Sequence, residues 1–455
     1  MDNDFGKKVY PPETFSEKSE RAWILTVDMG YGHQRPADNL RHLAEGGQAI
    51  CANNYDGIPE SDFRAWNNSR KFYESISVFK SVPLLGNLVF TLFLDYFQKV
   101  PPFYPRRSLA EPSLQVKQVY GSLAKGWGKH LIEELKIKNE QLGRTLPIVA
   151  TFFTPAFMAE FFGYPGEIFC VVCDTDITRA WAPLDPSQSK IKYFAPTERV
   201  AERLKLYGVK PENVFLTGFP LPVENIGGWD QVVLKHDLRA RLANLDPQKK
   251  FFYQYYPLLK QRLGELPLKA NHVLTLTFAV GGAGAQKDLA IKITKSLAKE
   301  IVQGKIRVIL VAGIKARVKD YFEKNIAKLG LGNCLGKTLE ILFSPDMEGY
   351  FRDFNSYLRQ TDILWTKPSE LSFYACLGLP IIIAPTIGSH EEFNKRWLLK
   401  SGFAMLQKDP RFVREWLFDL VDQGHLAEMA FESFLEGESK GVLKIQEIIA
   451  RCSGF

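Results

Sequence analysis

The chain has 455 residues, 45% of them hydrophobic and 13% aromatic, enough apolar material for two full cores and too much for a disordered or fibrous chain. Its 58 basic and 51 acidic residues leave a net charge of +7, a mild attraction to phosphate-bearing ligands or anionic lipid that is too dilute for nucleic-acid binding. Six cysteines, mostly inside apolar runs, read as reduced thiols of a cytosolic protein, and no apolar run reaches the ~20 residues that cross a bilayer.

Residues 1–20 are polar, lack a signal-peptide core and are expected to be extended or disordered. The first strand starts at Trp23-Ile24-Leu25-Thr26-Val27 and runs into Asp28-Met29-Gly30-Tyr31-Gly32-His33, after which Leu40, Leu43 and Ala44 mark a helix face. Strand, glycine loop and helix form a platform for phosphate or sugar. His33 stands at the strand's carboxyl end, where open α/β sheets bind ligands, and imidazole suits proton transfer near neutrality. Further on, the apolar run from Val82 to Leu94 lies near Lys80, Lys99, Arg106 and Arg107; it reads either as a buried helix or as a segment inserted at a bilayer interface.

Ile148–Phe153 and Ile168–Cys173 are expected as parallel strands. Cys170 and Cys173 have CxxC spacing but sit in a strand-like run rather than at a helix start, which argues against redox or metal duty. Asp174-Thr175-Asp176 has the D-x-D form of metal-nucleotide sites, yet the surrounding strand–helix alternation belongs to another architecture. Asp176, Arg179 and Trp181 are instead expected to line a cleft at a strand end, with Trp181 as a stacking surface. Tyr193–Ala195, a helix over Glu198–Leu206 and Val214–Leu216 complete an α/β domain over residues 21–222.

Residues 223–270 read as a linker with helices, and a second α/β domain is expected over residues 271–405. It opens with Val273–Val280, the loop Gly281-Gly282-Ala283-Gly284-Ala285-Gln286 and a helix from Lys287 to about Ile301. This loop lacks the third glycine of a dinucleotide fingerprint and the acid about 20 residues on, so its amides are assigned to a pyrophosphate rather than to a dehydrogenase cofactor. Val308–Val311 and Ile341–Phe343 are further strands. The stretch Asp362–Asn394 then reads as a buried strand, a polar turn, a helix start and a second buried strand at Ile381-Ile382-Ile383, with Pro368 in the first helical turn and Ser369 and Glu370 supplying oxygen and charge. Residues 406–455 carry helical spacing, and the histidines show no zinc-site spacing, so no metal is expected.

In order and spacing these motifs resemble glycosyltransferase family 28 and its relatives. Thr366, Lys367, Pro368, Gly378, Leu379, Pro380, Pro385 and Asn394 match the family's donor-site pattern, and His390 stands where it has Gln. Gly30-Tyr31-Gly32-His33 with Pro36-Ala37, Thr175-Asp176 with Trp181, Phe194–Glu198 and Thr217–Pro220 are similar to its N-terminal motifs. One departure is plain: Phe373 occupies the place of the family's ribose-binding glutamate, and the nearby carboxylate is Glu370, one turn earlier.

The resemblance implies a GT-B fold, two Rossmann-like doubly wound domains facing across a cleft, with the C-terminal helices crossing back to the first domain. It implies an inverting, metal-independent transfer from a UDP-linked sugar, without cofactor, to an acceptor hydroxyl, with a membrane lipid as candidate acceptor. The donor would lie on Gly281, Gly282, Gly284, Gln286, Lys367, Ser369, Glu370, His390, Glu391 and Asn394, the acceptor against Gly30, Gly32, Asp176, Arg179 and Trp181, and His33 would be the catalytic base. The expected location is cytoplasmic, peripheral at the inner membrane face. Two other readings are a non-hydrolysing nucleotide-sugar epimerase and, because of Phe373, a catalytically silent sugar-nucleotide sensor or scaffold.

Overall fold

A computed structural model describes residues 21–68, 100–279, 284, 286–386 and 389–452, the last range without the side chains of Ser389 and His390. The N-terminal 20 residues, the segment Val82–Leu94, and Gly281 and Gly282 lie outside the described residues.

Twelve strands form two parallel sheets of six. The first contains β1 (Trp23–Thr26), β2 (Ile50–Cys51), β3 (Ile148–Ala150), β4 (Ile168–Val171), β5 (Lys192–Ala195) and β6 (Val214–Leu216), in the order β2-β1-β3-β4-β5-β6. The second contains β7 (Thr275–Ala279), β8 (Arg307–Gly313), β9 (Leu339–Phe343), β10 (Ile363–Thr366), β11 (Ile381–Ile383) and β12 (Ala404–Leu406), ordered β12-β11-β10-β7-β8-β9. The central strands β1, β3, β4, β7, β10 and β11 are buried at every position, as continuous apolar runs require when helices cover both faces. The two sheets make the chain a GT-B protein with two doubly wound domains. Strand order reverses between β1 and β3 in one sheet and between β7 and β10 in the other, and ligands of open sheets bind at such switch points.

The helices Val232–Leu245 and Lys250–Leu263 pack Leu238, Leu242, Leu245, Phe251, Leu259 and Leu263 into the core of the second sheet. Arg241, fully buried, donates to the carbonyls of Thr361, Leu377 and Gly378 and so ties this insertion to the turn after β10. The last helix, Gly441–Cys452, returns to the first sheet. Its Val442, Ile445, Ile448 and Ile449 join one apolar cluster with Ile24, Leu40, Val149 and Phe169.

Local structure departs from expectation after β10. A 3-10 helix runs over Glu370–Leu377 in place of the expected α-helix, and Pro368 lies in a bend before it rather than in its first turn. All eight residues of the turn are buried, so no solvent face exists for the 3.6-residue period to serve. Gly378 closes it at φ 68, and a Cβ there would stand 2.8 Å from Leu238 Cδ1. The first glycine-loop helix is likewise shorter than its apolar spacing suggests, ending at Asn39 before a 3-10 turn at Arg41–Leu43.

Candidate active site at the domain cleft

The loops that leave β1, β3, β7 and β10 at the two switch points face one another and enclose a cavity of about 430 Å³. Gly30, Gly32 and His33 line it from the first domain with Phe152 and Trp181; Ala279, Lys367, Ser369 and Glu370 line it from the second. The loop conformation needs its first glycine, since Gly30 has φ 113 with a ψ that side chains avoid.

Two hydroxyls fix the position of His33: Thr26 Oγ1 donates to its carbonyl at 2.9 Å and Thr151 Oγ1 at 2.7 Å. Its Nδ1 lies 2.9 Å from the Thr151 carbonyl oxygen, which can only accept, so Nδ1 carries the proton of the neutral ring and Nε2 is the acceptor nitrogen. The ring packs 4.7 Å from Phe152 and 6.3 Å from Trp181. Trp181, mostly buried against Phe153, still borders the cavity beside the imidazole.

Of the residues expected to line the cleft, Asp176 borders the cavity and Arg179 does not, and the polar atoms of both are engaged with the protein. Both carboxylate oxygens of Asp176 are taken by Arg203, from Nε at 2.8 Å and Nη2 at 2.9 Å, in a pair that is almost wholly buried. The D-x-D segment is therefore built as an ion pair. Arg179 donates to the carbonyls of Ala110, Ala182 and Pro183, so it braces a loop rather than offering a cation to the cleft, and burial lowers its pKa.

In the second domain, Asn394 also serves the protein: its Oδ1 accepts from the Thr175 backbone at 3.0 Å and from Thr175 Oγ1 at 2.9 Å, across the cleft. Glu391 is buried and accepts from Lys367 at 2.7 Å, which sets the lysine at the cavity wall. Gln286 Nε2 donates to the Pro385 carbonyl at 2.8 Å, joining the loops after β7 and β11. Gly284 has φ +67 and a Cβ would come 2.8 Å from Val318, so the close turn excludes other residues there. His390 has no described side chain. Among the described residues no group of three His, Cys, Asp or Glu is placed to hold a metal ion.

Phe373 is stacked on Phe219 at 4.5 Å and 5° and packs 5.4 Å from Trp397, so the place of the family's ribose acid is filled by the apolar contact between domains. Sequence reasoning missed the helix residues Tyr31 and Arg35, which cross the cleft to Tyr350 and Phe351. The signal for them was their spacing of four on one helix face directly after the glycine loop. Burial pushes the Tyr31 hydroxyl up to about 12, with Tyr350 reinforcing it.

No family model matches the chain. It is 21% identical over 400 residues to the processive diacylglycerol beta-glucosyltransferase of Bacillus subtilis, covering 85% of this chain and 83% of that protein. The protein resembles glycosyltransferase family 28. The same enzyme of Bacillus pumilus matches over 418 residues, again at 21%. Among solved structures it is similar to MurG of Acinetobacter baumannii, with a TM-score of 0.48 at 11% identity over 95% of this chain and 99% of that one. No helix among the described residues is long and apolar enough to cross a membrane.

Proposed function

We propose that the protein is a glycosyltransferase that moves a sugar from a nucleoside-diphosphate donor, a UDP-sugar, to an acceptor hydroxyl beside His33. The observation that supports it most is the tautomer-fixed His33 on a cavity that both domains' switch-point loops enclose. The acceptor oxygen attacks the anomeric carbon, the bond to the diphosphate breaks, and the acceptor proton passes to Nε2 of His33, with inversion at that carbon. In this reading Lys367 and the backbone at Ser369, which border the cavity, meet the charge that develops on the leaving diphosphate. Lysine in that place is held by buried Glu391 and so stays aimed.

A lipid acceptor fits both the aromatic wall of Phe152, Phe153 and Trp181 and the diacylglycerol named for the bacterial relatives. Incubation with UDP-glucose and related donors carrying a labelled sugar, against diacylglycerol vesicles and soluble sugars, tests the reading by its products. A glycoside of inverted configuration supports it. A new isomer of the donor sugar points to an epimerase, and donor binding with no product across all acceptors points to a silent sensor.

A further inference from the structure

A guanidinium shielded from water needs its charge compensated by what surrounds it. Arg35, on the Tyr31–Asn39 helix of the first domain, is 1% exposed and reaches across the cleft into the second. Its Cζ lies 4.5 Å from the ring centre of Phe354, 4.7 Å from Phe351, 5.4 Å from Tyr350 and 5.7 Å from Tyr374. Nη2 donates to the Tyr350 hydroxyl at 3.0 Å. The ring faces attract the cation from several sides. Among the described residues a single carboxylate forms an ion pair with it: Glu370, whose Oε1 is 3.5 Å from Nε.

Both side chains border the cleft cavity. A glutamate on a turn ordinarily samples several rotamers, whereas one ion-paired at 3.5 Å, without a hydrogen bond, to a cation wedged among four rings is drawn toward that side. A carboxylate neutralised from behind and open to a cavity in front is an acceptor-only group, suited to two hydroxyl donors of a vicinal diol. We propose that Arg35 is a positioning residue that completes, from the opposite domain, a diol-binding subsite centred on Glu370, so that the donor is recognised by the closed cleft and not by one domain alone. This rests on the donor reading above; the diol belongs to the nucleotide's ribose or to the transferred hexose. Donor binding and cleft closure are then linked, each favouring the other.

Equilibrium binding to the full chain with UDP, 2′-deoxy-UDP and UDP-glucose tests this. If ribose supplies the diol, wild type binds UDP at least about tenfold tighter than the deoxy form; if the hexose does, it binds UDP-glucose at least about tenfold tighter than UDP. R35M, whose apolar chain still fills the ring cage, should bring that preference close to one, and E370Q should do the same. R35K, which keeps the charge, should retain part of it. A structural Arg35 would weaken all ligands together and leave the preference unmoved, and that outcome overturns the proposal, as does wild-type binding of UDP with neither preference. Failure to bind any nucleoside diphosphate, ADP and GDP included, overturns the donor reading and this inference with it. If thermal melting shows that R35M does not fold, R35Q takes its place in the same comparison, with the same two outcomes.

Discussion

His33 and Asp176 both border the cavity, yet their partners give them opposite roles. Thr151 fixes the His33 tautomer through a carbonyl, so replacing the ring removes a proton acceptor and little of the fold. His33→Ala is expected to lower turnover at least about a hundredfold while the dissociation constant for the donor stays within about threefold, measured by steady-state kinetics beside equilibrium binding. Asp176 is instead the counter-charge of buried Arg203, and Asp176→Asn leaves that guanidinium short of a partner. A loss of about 3 kcal/mol in urea unfolding is expected for it, with the donor dissociation constant unchanged. Unchanged stability would make Asp176 a ligand-facing residue after all. At this scale the sequence was legible where the cue was local: the glycines before His33 were visible from neighbours alone, whereas the departure at Phe373 was visible only through the family resemblance. What stayed hidden depends on distant partners, such as Asn394, whose Thr175 is 219 residues away.

Among the elements, the Tyr31–Asn39 helix carries the contact between domains, and its charged face sets a pH response. Burial raises the Asp38 carboxyl to about 6; Arg41 at 3.6 Å opposes the shift, while Glu224 and Glu348 reinforce it. Because the folded-state value lies above the unfolded one near 4, the folded state holds its proton more tightly. Below about pH 4 both states are protonated and the group costs nothing; stability falls as pH rises from there to about 6, and above it the full cost, on the order of 3 kcal/mol, is present. Asp38→Asn removes that cost, so thermal melts should show the variant gaining on wild type between pH 5 and pH 7 and no gain near pH 4. A gain that is the same at all three pH values would contradict burial as the cause. The strands themselves were plain in the sequence because runs such as Ile381-Ile382-Ile383 are buried on both faces. The 3-10 turn after β10 was not, since a helix start and a 3-10 start use the same residues and only packing on every side separates them.

For the molecule as a whole, each sheet keeps an apolar cluster of its own on one face, and a third cluster is shared between the two. Val149, Phe169 and Phe194 of the first sheet belong to one apolar cluster with Val311, Leu364 and Ile381 of the second, bridged by the Phe219–Phe373 stack. Such a shared core couples the domains, and calorimetry is expected to show one cooperative unfolding transition, its calorimetric and van't Hoff enthalpies in agreement. Two resolved peaks would mean that the cluster contributes little between domains. Alternation of strands and helices made two α/β units readable, but the shared core came from no periodicity, since it forms between faces that each unit could as well have covered by itself. The return of the Gly441–Cys452 helix to the first sheet also sets an order in time. During synthesis, Ile24, Leu40, Val149 and Phe169 leave the ribosome early, and the helix that covers them follows β6 by some two hundred residues, an interval of roughly 10–45 s at ordinary elongation rates. A nascent first domain therefore waits with one face uncovered, and a chain stalled before that helix would present this face to chaperones or to its neighbours on the same message.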